Sequence, residues 1–205
     1  MTVALHFILG FVASFLGTLF PSMLSMTTVK IGIKESKKKA LAFAAGVCTI
    51  IIGQSYLAVA FSKILLSDPM YLDTLQKVGV FVFVALSVFF FRQAIQSKKG
   101  ITASKKKIKG FVTGMIFSLL NMFAIPFYVA VTSSLAMMHW YEFEPINNLL
   151  FVLGSSIGTF TLLSVYASLA KKVEKRMIWL ANQMDFILGA VTGIAAIVNA
   201  IDIFA

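Results

Sequence analysis

Positive charge is confined to every second connection of this chain. Sixteen of its eighteen Lys and Arg residues fall in three short stretches between long apolar runs. These are 30–39 (Lys30, Lys34, Lys37, Lys38, Lys39), 92–109 (Arg92, Lys98, Lys99, Lys105, Lys106, Lys107, Lys109) and 171–176 (Lys171, Lys172, Lys175, Arg176). The alternate connections hold only Lys63 and Lys77, and carry Asp68, Asp73, Glu142 and Glu144. Short loops rich in Lys and Arg stay on the cytoplasmic side of a membrane. The pattern predicts an all-α polytopic protein of the plasma (inner) membrane, with six transmembrane helices and both termini outside.

The apolar runs are long enough for this. A helix needs about 20 apolar residues to cross the hydrocarbon core. Runs near 3–29, 40–66, 74–95, 110–138, 148–170 and 178–204 supply them. The third is free of charge only over 78–91 and crosses if Lys77 and Arg92 snorkel to the interfaces. Trp140 with Tyr141, and Trp179, fall at boundaries, as aromatic belts do. Residues 1–6 lack a basic n-region, so the first run reads as a span entering from outside and not as a signal peptide. The 59% hydrophobic content also exceeds the roughly 45–50% of a soluble domain.

Two halves follow from the span count. Residues 1–95 hold three spans, 96–109 form a basic cytoplasmic loop, and 110–205 hold three more. Three is odd, so the halves run in opposite directions, as an inverted-topology repeat. The first span carries Phe7-x-x-Gly10, with Pro21 eleven residues beyond the glycine. The fourth carries Phe111-x-x-Gly114, with Pro126 twelve residues beyond. Interrupted spans in matching positions point to the binding site of a transporter.

Composition excludes several classes. The net charge of +10 sits beside apolar spans, where it meets anionic lipid headgroups and sets topology; no nucleic-acid partner is expected. A single cysteine, Cys48, permits no disulfide framework and reads as a small buried apolar residue. His6 and His139 lie near opposite ends of different spans, so no metal or other cofactor is expected. Gly154-Ser155-Ser156-Ile157-Gly158 matches the Gly-x-Ser-x-Gly nucleophile elbow, but it sits inside a span with no histidine at its depth. The same glycines repeat at the four-residue spacing of Gly110/Gly114 and Gly189/Gly193, which lets helix backbones approach closely.

Candidate site residues are the helix breakers and the polar groups within spans. Proline removes an N–H and clashes with the preceding turn. Pro21, with Ser22 beside it, and Pro126 are therefore expected to break the first and fourth spans. Asn121 lies near the middle of the fourth span, and Gln54 interrupts the second. Thr27, Thr28, Ser118, Tyr128 and Thr132 add hydroxyls. The substrate-binding candidates are Pro21, Ser22, Gln54, Asn121, Pro126 and Tyr128. A broken helix offers N–H groups at one end and carbonyls at the other, which suits a zwitterion. Asp185 is the acidic residue farthest from any loop and the candidate for proton coupling. Asp202 near the outer face nevertheless sets Asp185 toward the inner boundary, about 26 Å away along the helix.

Pro21-Ser22-Met23, then Lys37-Lys38-Lys39-Ala40 and Gly46, resemble the first motif of the lysine-exporter (LysE/RhtB) family. Phe111-x-x-Gly114, Asn121-Met122-Phe123 and Phe127 are similar to its fourth-span motif. Only Pro21 stands for a Pro-Gly-Pro, and Met122-Phe123 replaces a Pro-Lys. The resemblance implies export of amino acids or related small polar metabolites, driven by the proton gradient, by alternating access. The competing readings are a membrane-embedded enzyme and a non-transporting interaction subunit. The sequence leaves a homo-oligomer open.

Overall fold

Helix α1 (Val3–Leu19) buries one stripe of small and polar residues and turns several of its large apolar ones outward. His6, Gly10 and Ser14 form a buried stripe at four-residue spacing. Ile8, Val12 and Leu16 face outward. Helix α4 (Gly110–Leu119) repeats this, with Gly110, Gly114 and Ser118 buried and Val112 and Ile116 exposed. In water this arrangement would discard the hydrophobic driving force. In lipid it is favourable, because helices there associate through small residues and close backbone contact.

The computed structural model describes residues 3–19, 22–67, 84, 87–88, 92, 110–121, 123–174, 190, 193–194 and 197. Besides α1 and α4, the helices are α2 (Met23–Lys34), α3 (Lys37–Ser67), α5 (Ala124–Met137) and α6 (Pro145–Ser168). The protein is all-helical over these residues. α3 and α6 are each long and apolar enough to cross a membrane. α1 with α2, and α4 with α5, also qualify as bent pairs, their axes diverging by 72° and 64°. Of the expected third and sixth spans, only Val84, Ser87, Val88, Arg92, Ala190, Gly193, Ile194 and Ile197 are described, all helical. Pro21, Asp185 and loop 96–109 lie outside the described residues.

The chain divides into two compact units, each drawing on both halves: Met1–Ile64 with Lys107–Met177, and Leu65–Lys106 with Ile178–Ala205. In the second unit, a Cβ added at Gly193 would stand 3.0 Å from Ser87 Oγ. The first unit contains the six helices, apart from the last turn of α3.

Four Phe-x-x-Gly segments organise that unit. A Cβ on Gly10 would fall on the Phe151 carbonyl, and one on Gly154 on the Phe7 carbonyl. A Cβ on Gly46 would fall on the Phe111 carbonyl, and one on Gly114 on the Phe43 carbonyl. α1 therefore lies along α6, and α4 along α3, each pair parallel and locked by reciprocal glycine–carbonyl contacts. α3 and α6 meet at Cys48 and Ser156. Cys48 Sγ donates to the Ser156 carbonyl (3.4 Å) and Ser156 Oγ donates to the Cys48 carbonyl (3.5 Å). Each of these residues stands two places after its helix's Phe-x-x-Gly glycine.

Helix ends follow ordinary chemistry, with two exceptions. Ser36 caps α3, accepting from the Lys39 N–H at 3.2 Å. Lys37, Lys38 and Lys39 fill the first turn of α3, where the helix dipole disfavours positive charge. Their placement thus suits a membrane boundary better than helix stability. α5 ends in a Schellman motif: the Trp140 N–H donates to the Leu135 carbonyl (2.8 Å) and the His139 N–H to that of Ala136 (2.9 Å). His139 supplies the left-handed residue at φ 60°, a place usually taken by glycine.

Candidate functional site

The two bent pairs meet through their inner turns. The Phe127 ring, in the first turn of α5, covers Gly17 of α1, its nearest carbon 2.6 Å from where a Cβ would stand. One residue on, buried Tyr128 reaches hydroxyls of both α1 and α6, interacting with Ser14, Thr159 and Ser155. Ser14 Oγ donates to the Ser155 carbonyl at 2.5 Å and shares a hydrogen bond with Thr159 Oγ1 at 2.5 Å. Ser155 Oγ donates to the Gly10 carbonyl (3.4 Å). This hydroxyl cluster ties α1, α5 and α6 together beside both breaks.

Each break is held by a side chain from a neighbouring long helix. Helices end with carbonyls that lack an intrahelical donor. At the end of α1, Tyr166 Oη donates to the Leu19 carbonyl at 2.7 Å. At the end of α4, Gln54 Nε2 donates to the Ser118 carbonyl at 3.0 Å, and Ser118 Oγ donates back to Gln54 Oε1 at 3.5 Å. The Asn121 N–H donates to the same Ser118 carbonyl at 3.0 Å. Gln54 and Asn121, far apart in the sequence, thus converge on one acceptor.

The restarting helices differ. α2 begins with a capping box: the Ser25 N–H donates to Ser22 Oγ (3.4 Å), and the Ser22 N–H donates to Ser25 Oγ (2.8 Å). α5 begins at Phe123 with no side-chain cap. The Ala124 N–H donates to the Asn121 carbonyl at 3.4 Å, and Pro126 brings no N–H to this turn.

The fourth span is broken beside Pro126, as expected. The fourth span breaks before it, over Leu120–Phe123, and Pro126 sits in the first turn of α5, exposed. There its missing N–H costs nothing, because first-turn N–H groups have no intrahelical partner. The polar Asn121 coincides with the break instead. Ser22 is exposed at the cap of α2, apart from the Gln54–Asn121 pair. Cys48 is buried as expected, and Gly154 and Gly158 both press on α1 backbone. Ser156, the central serine of the elbow-like segment, faces Cys48 rather than a base.

Other residues emerge only in three dimensions. Ser14, Ser155, Thr159 and Tyr166 belong to the breaks or the cluster. His6 is fully buried and its Nε2 accepts the Glu142 backbone N–H at 3.3 Å. The four-residue rhythm of 6, 10 and 14, matched by 110, 114 and 118, was the available signal.

No metal-binding group of His, Cys, Asp or Glu occurs among the described residues. No curated protein and no solved structure matches the chain. The model of the LysE type translocator family matches residues 15–203, nearly the whole length, and the chain belongs to that family of membrane translocators.

Proposed function

We propose that this translocator exports amino acids or related small polar metabolites across the plasma membrane, driven by the proton gradient through alternating access. The observation that carries this reading is the meeting of two broken spans at Gly17–Phe127 and Ser14–Tyr128, with both breaks clamped from outside. Broken helices pointing at one place are how secondary transporters form a site within the bilayer.

The six-span, inverted-repeat architecture has its own support. The Phe-x-x-Gly contacts pair the first span with the fifth and the fourth with the second, as exchange of inverted halves requires. A Cβ on Gly110 would stand 3.2 Å from the Lys39 carbonyl, so α4 starts where α3 starts. The 31 residues of α3 span about 46 Å. A helix of that length is long enough to carry the chain from one face of the bilayer to the other, which supports a third crossing at the apolar run 74–95. The basic ends at 30–39 and 171–176 support a cytoplasmic position for this side, with both termini outside.

In this reading Asn121 and Gln54 are the principal substrate contacts. The Gln54 amide occupies the Ser118 carbonyl while the site is empty, and a substrate ammonium displaces it. The substrate carboxylate takes the positive end of the α5 dipole, in the turn that holds Pro126. Tyr128 links the site to the hydroxyl cluster. Pro21 and Ser22 provide the matching break in the first span, and Asp185 carries the coupling proton.

The test is uptake of a panel of labelled amino acids into inverted membrane vesicles, with and without an imposed proton gradient. Gradient-dependent accumulation of at least one amino acid, lost in Asn121→Leu while expression persists, is the expected result. No uptake of any panel member, or uptake indifferent to the gradient, defeats the reading.

A further inference from the structure

We propose that His6 is a proton-binding site: neutral, it fastens the 138–144 connection to α1, and protonated, it releases it. His6 is fully buried, and it is the one titratable side chain in the sequence of α1. Its Nε2 accepts the Glu142 backbone N–H at 3.3 Å. An imidazole accepting at that nitrogen is neutral. A proton arriving there turns the acceptor into a donor and sets two N–H groups head to head. The Glu142 N–H loses its acceptor, and a new charge is sealed away from water. Both costs end if the connection lifts and water enters.

The connection is built to transmit such a change. The Glu142 peptide is held at both ends, its N–H by His6 and its carbonyl by Asn147 Nδ2 at 3.4 Å. The next ring, Tyr141, is buried and packs edge-on against His6 (5.1 Å), Phe143 (5.1 Å) and Phe151 (5.4 Å). Phe151 in turn meets Tyr128 at 6.2 Å, and Tyr128 reaches the Ser14–Thr159 cluster. Contact is thus continuous from His6 to the place where the broken spans meet.

Among the described residues, the connection contains the titratable groups His139, Tyr141, Glu142 and Glu144; His139 is present in both proteins of the test below. Tyr141 Oη is committed to Asn148 Oδ1 at 3.0 Å. Glu142 and Glu144 are exposed, and their carboxylates favour a positive imidazole once the connection opens. An ordinary imidazole titrates near 6.5, within the range that an acidified outer surface samples. The ligand is a proton. The role in coupling, as distinct from proton binding, rests on the exporter reading above.

The test compares two proteins that each carry Phe143→Cys, one with native His6 and one with His6→Gln. The glutamine keeps an acceptor for the Glu142 N–H at every pH. A membrane-impermeant maleimide is applied at pH 8 and pH 5.5. The labelling rate of the protein with native His6 is divided by that of the His6→Gln protein, so that thiol chemistry cancels. The expected ratio is near one at pH 8 and at least fivefold higher at pH 5.5. A ratio that stays flat overturns the proposal, whatever transport does. If His6→Gln does not fold, Glu144→Cys in the native background, at a position already exposed, replaces it as the reference. A rising ratio then supports the proposal and a flat one overturns it, as before. Transport is read separately: a ratio that rises while gradient-driven transport is absent upholds the proton site and sinks only the exporter reading.

Discussion

The carbonyl oxygen of Phe151 occupies the place where Gly10 would carry a side chain. Gly10→Ala must therefore push α1 off α6. Overpacking of this kind costs about 1–3 kcal/mol. Gly53, in α3, has nothing within 4 Å of an added Cβ. Gly53→Ala should instead stabilise by about 0.5–1 kcal/mol, the ordinary gain from removing a helical glycine. Thermal unfolding in the same detergent should move in opposite directions for the two variants; a shared direction would count against the glycine–carbonyl lock.

Gln54→Leu removes the grip on the Ser118 carbonyl. Side-chain hydrogen bonds between membrane helices average only about 0.6 kcal/mol, so stability should change little. Transport should fall at least tenfold, since the variant loses a proposed substrate contact. Paired melting and vesicle-uptake measurements decide it, and normal transport would reduce Gln54 to packing.

Tyr166→Phe deletes the donor to the Leu19 carbonyl while keeping the ring. A loss of about 1 kcal/mol is expected. Ser22→Ala, which breaks the capping box of α2, should cost a similar amount of about 1 kcal/mol. Melting curves showing no loss in either variant would mean that the first break holds without its caps.

His139→Gly should stabilise the end of α5 by about 1 kcal/mol, because a left-handed conformation penalises any residue with a Cβ. The check is a rise in melting temperature with transport unchanged.

Burial pushes the Tyr141 hydroxyl well above the usual tyrosine range. The folded chain then keeps a proton that the unfolded chain releases near pH 10. Stability from this group is full below that pH and falls above it. Tyr141→Phe, which loses the bond to Asn148, should therefore cost the same at pH 8 and pH 9, about 1 kcal/mol. A cost that differs between those pH values in unfolding measurements would contradict a neutral, buried hydroxyl.

Much of this arrangement was legible from residues alone, and the reasons are physical. Charge segregation reports which helix ends meet water, so the extents of α3 and α6 came close to the runs at 40–66 and 148–170. Gly110 with Gly114, and Gly154 with Gly158, announced close contacts because small residues at four-residue spacing let helix backbones approach; Phe7-x-x-Gly10 was legible only as half of a repeat. Pro126 marked the break in the fourth span but not its exact place: the interruption falls in the turn before the proline, which itself belongs to the first turn of the next helix. The convergence of Gln54 and Asn121 was hidden for a different reason: Asn121 reaches the Ser118 carbonyl through a local turn, and only the parallel packing of α3 and α4 brings Gln54 to it. His6 offered only its place in the rhythm of 6, 10 and 14, since its partner is a backbone N–H, which any residue at 142 other than proline would provide.

The four-residue stripes also limit how helices can slide. If α4 moved one turn along α3, about 6 Å, Gly110 would arrive where Gly114 now faces the Phe43 carbonyl, again without a Cβ to obstruct it. The same step of α1 along α6 would bring His6 to the place of Gly10, and the opposite step would bring Ser14 there. Both carry side chains, so the Phe151 carbonyl acts as a stop in each direction. The fourth span thus has a second seat one turn away, and the first span has none.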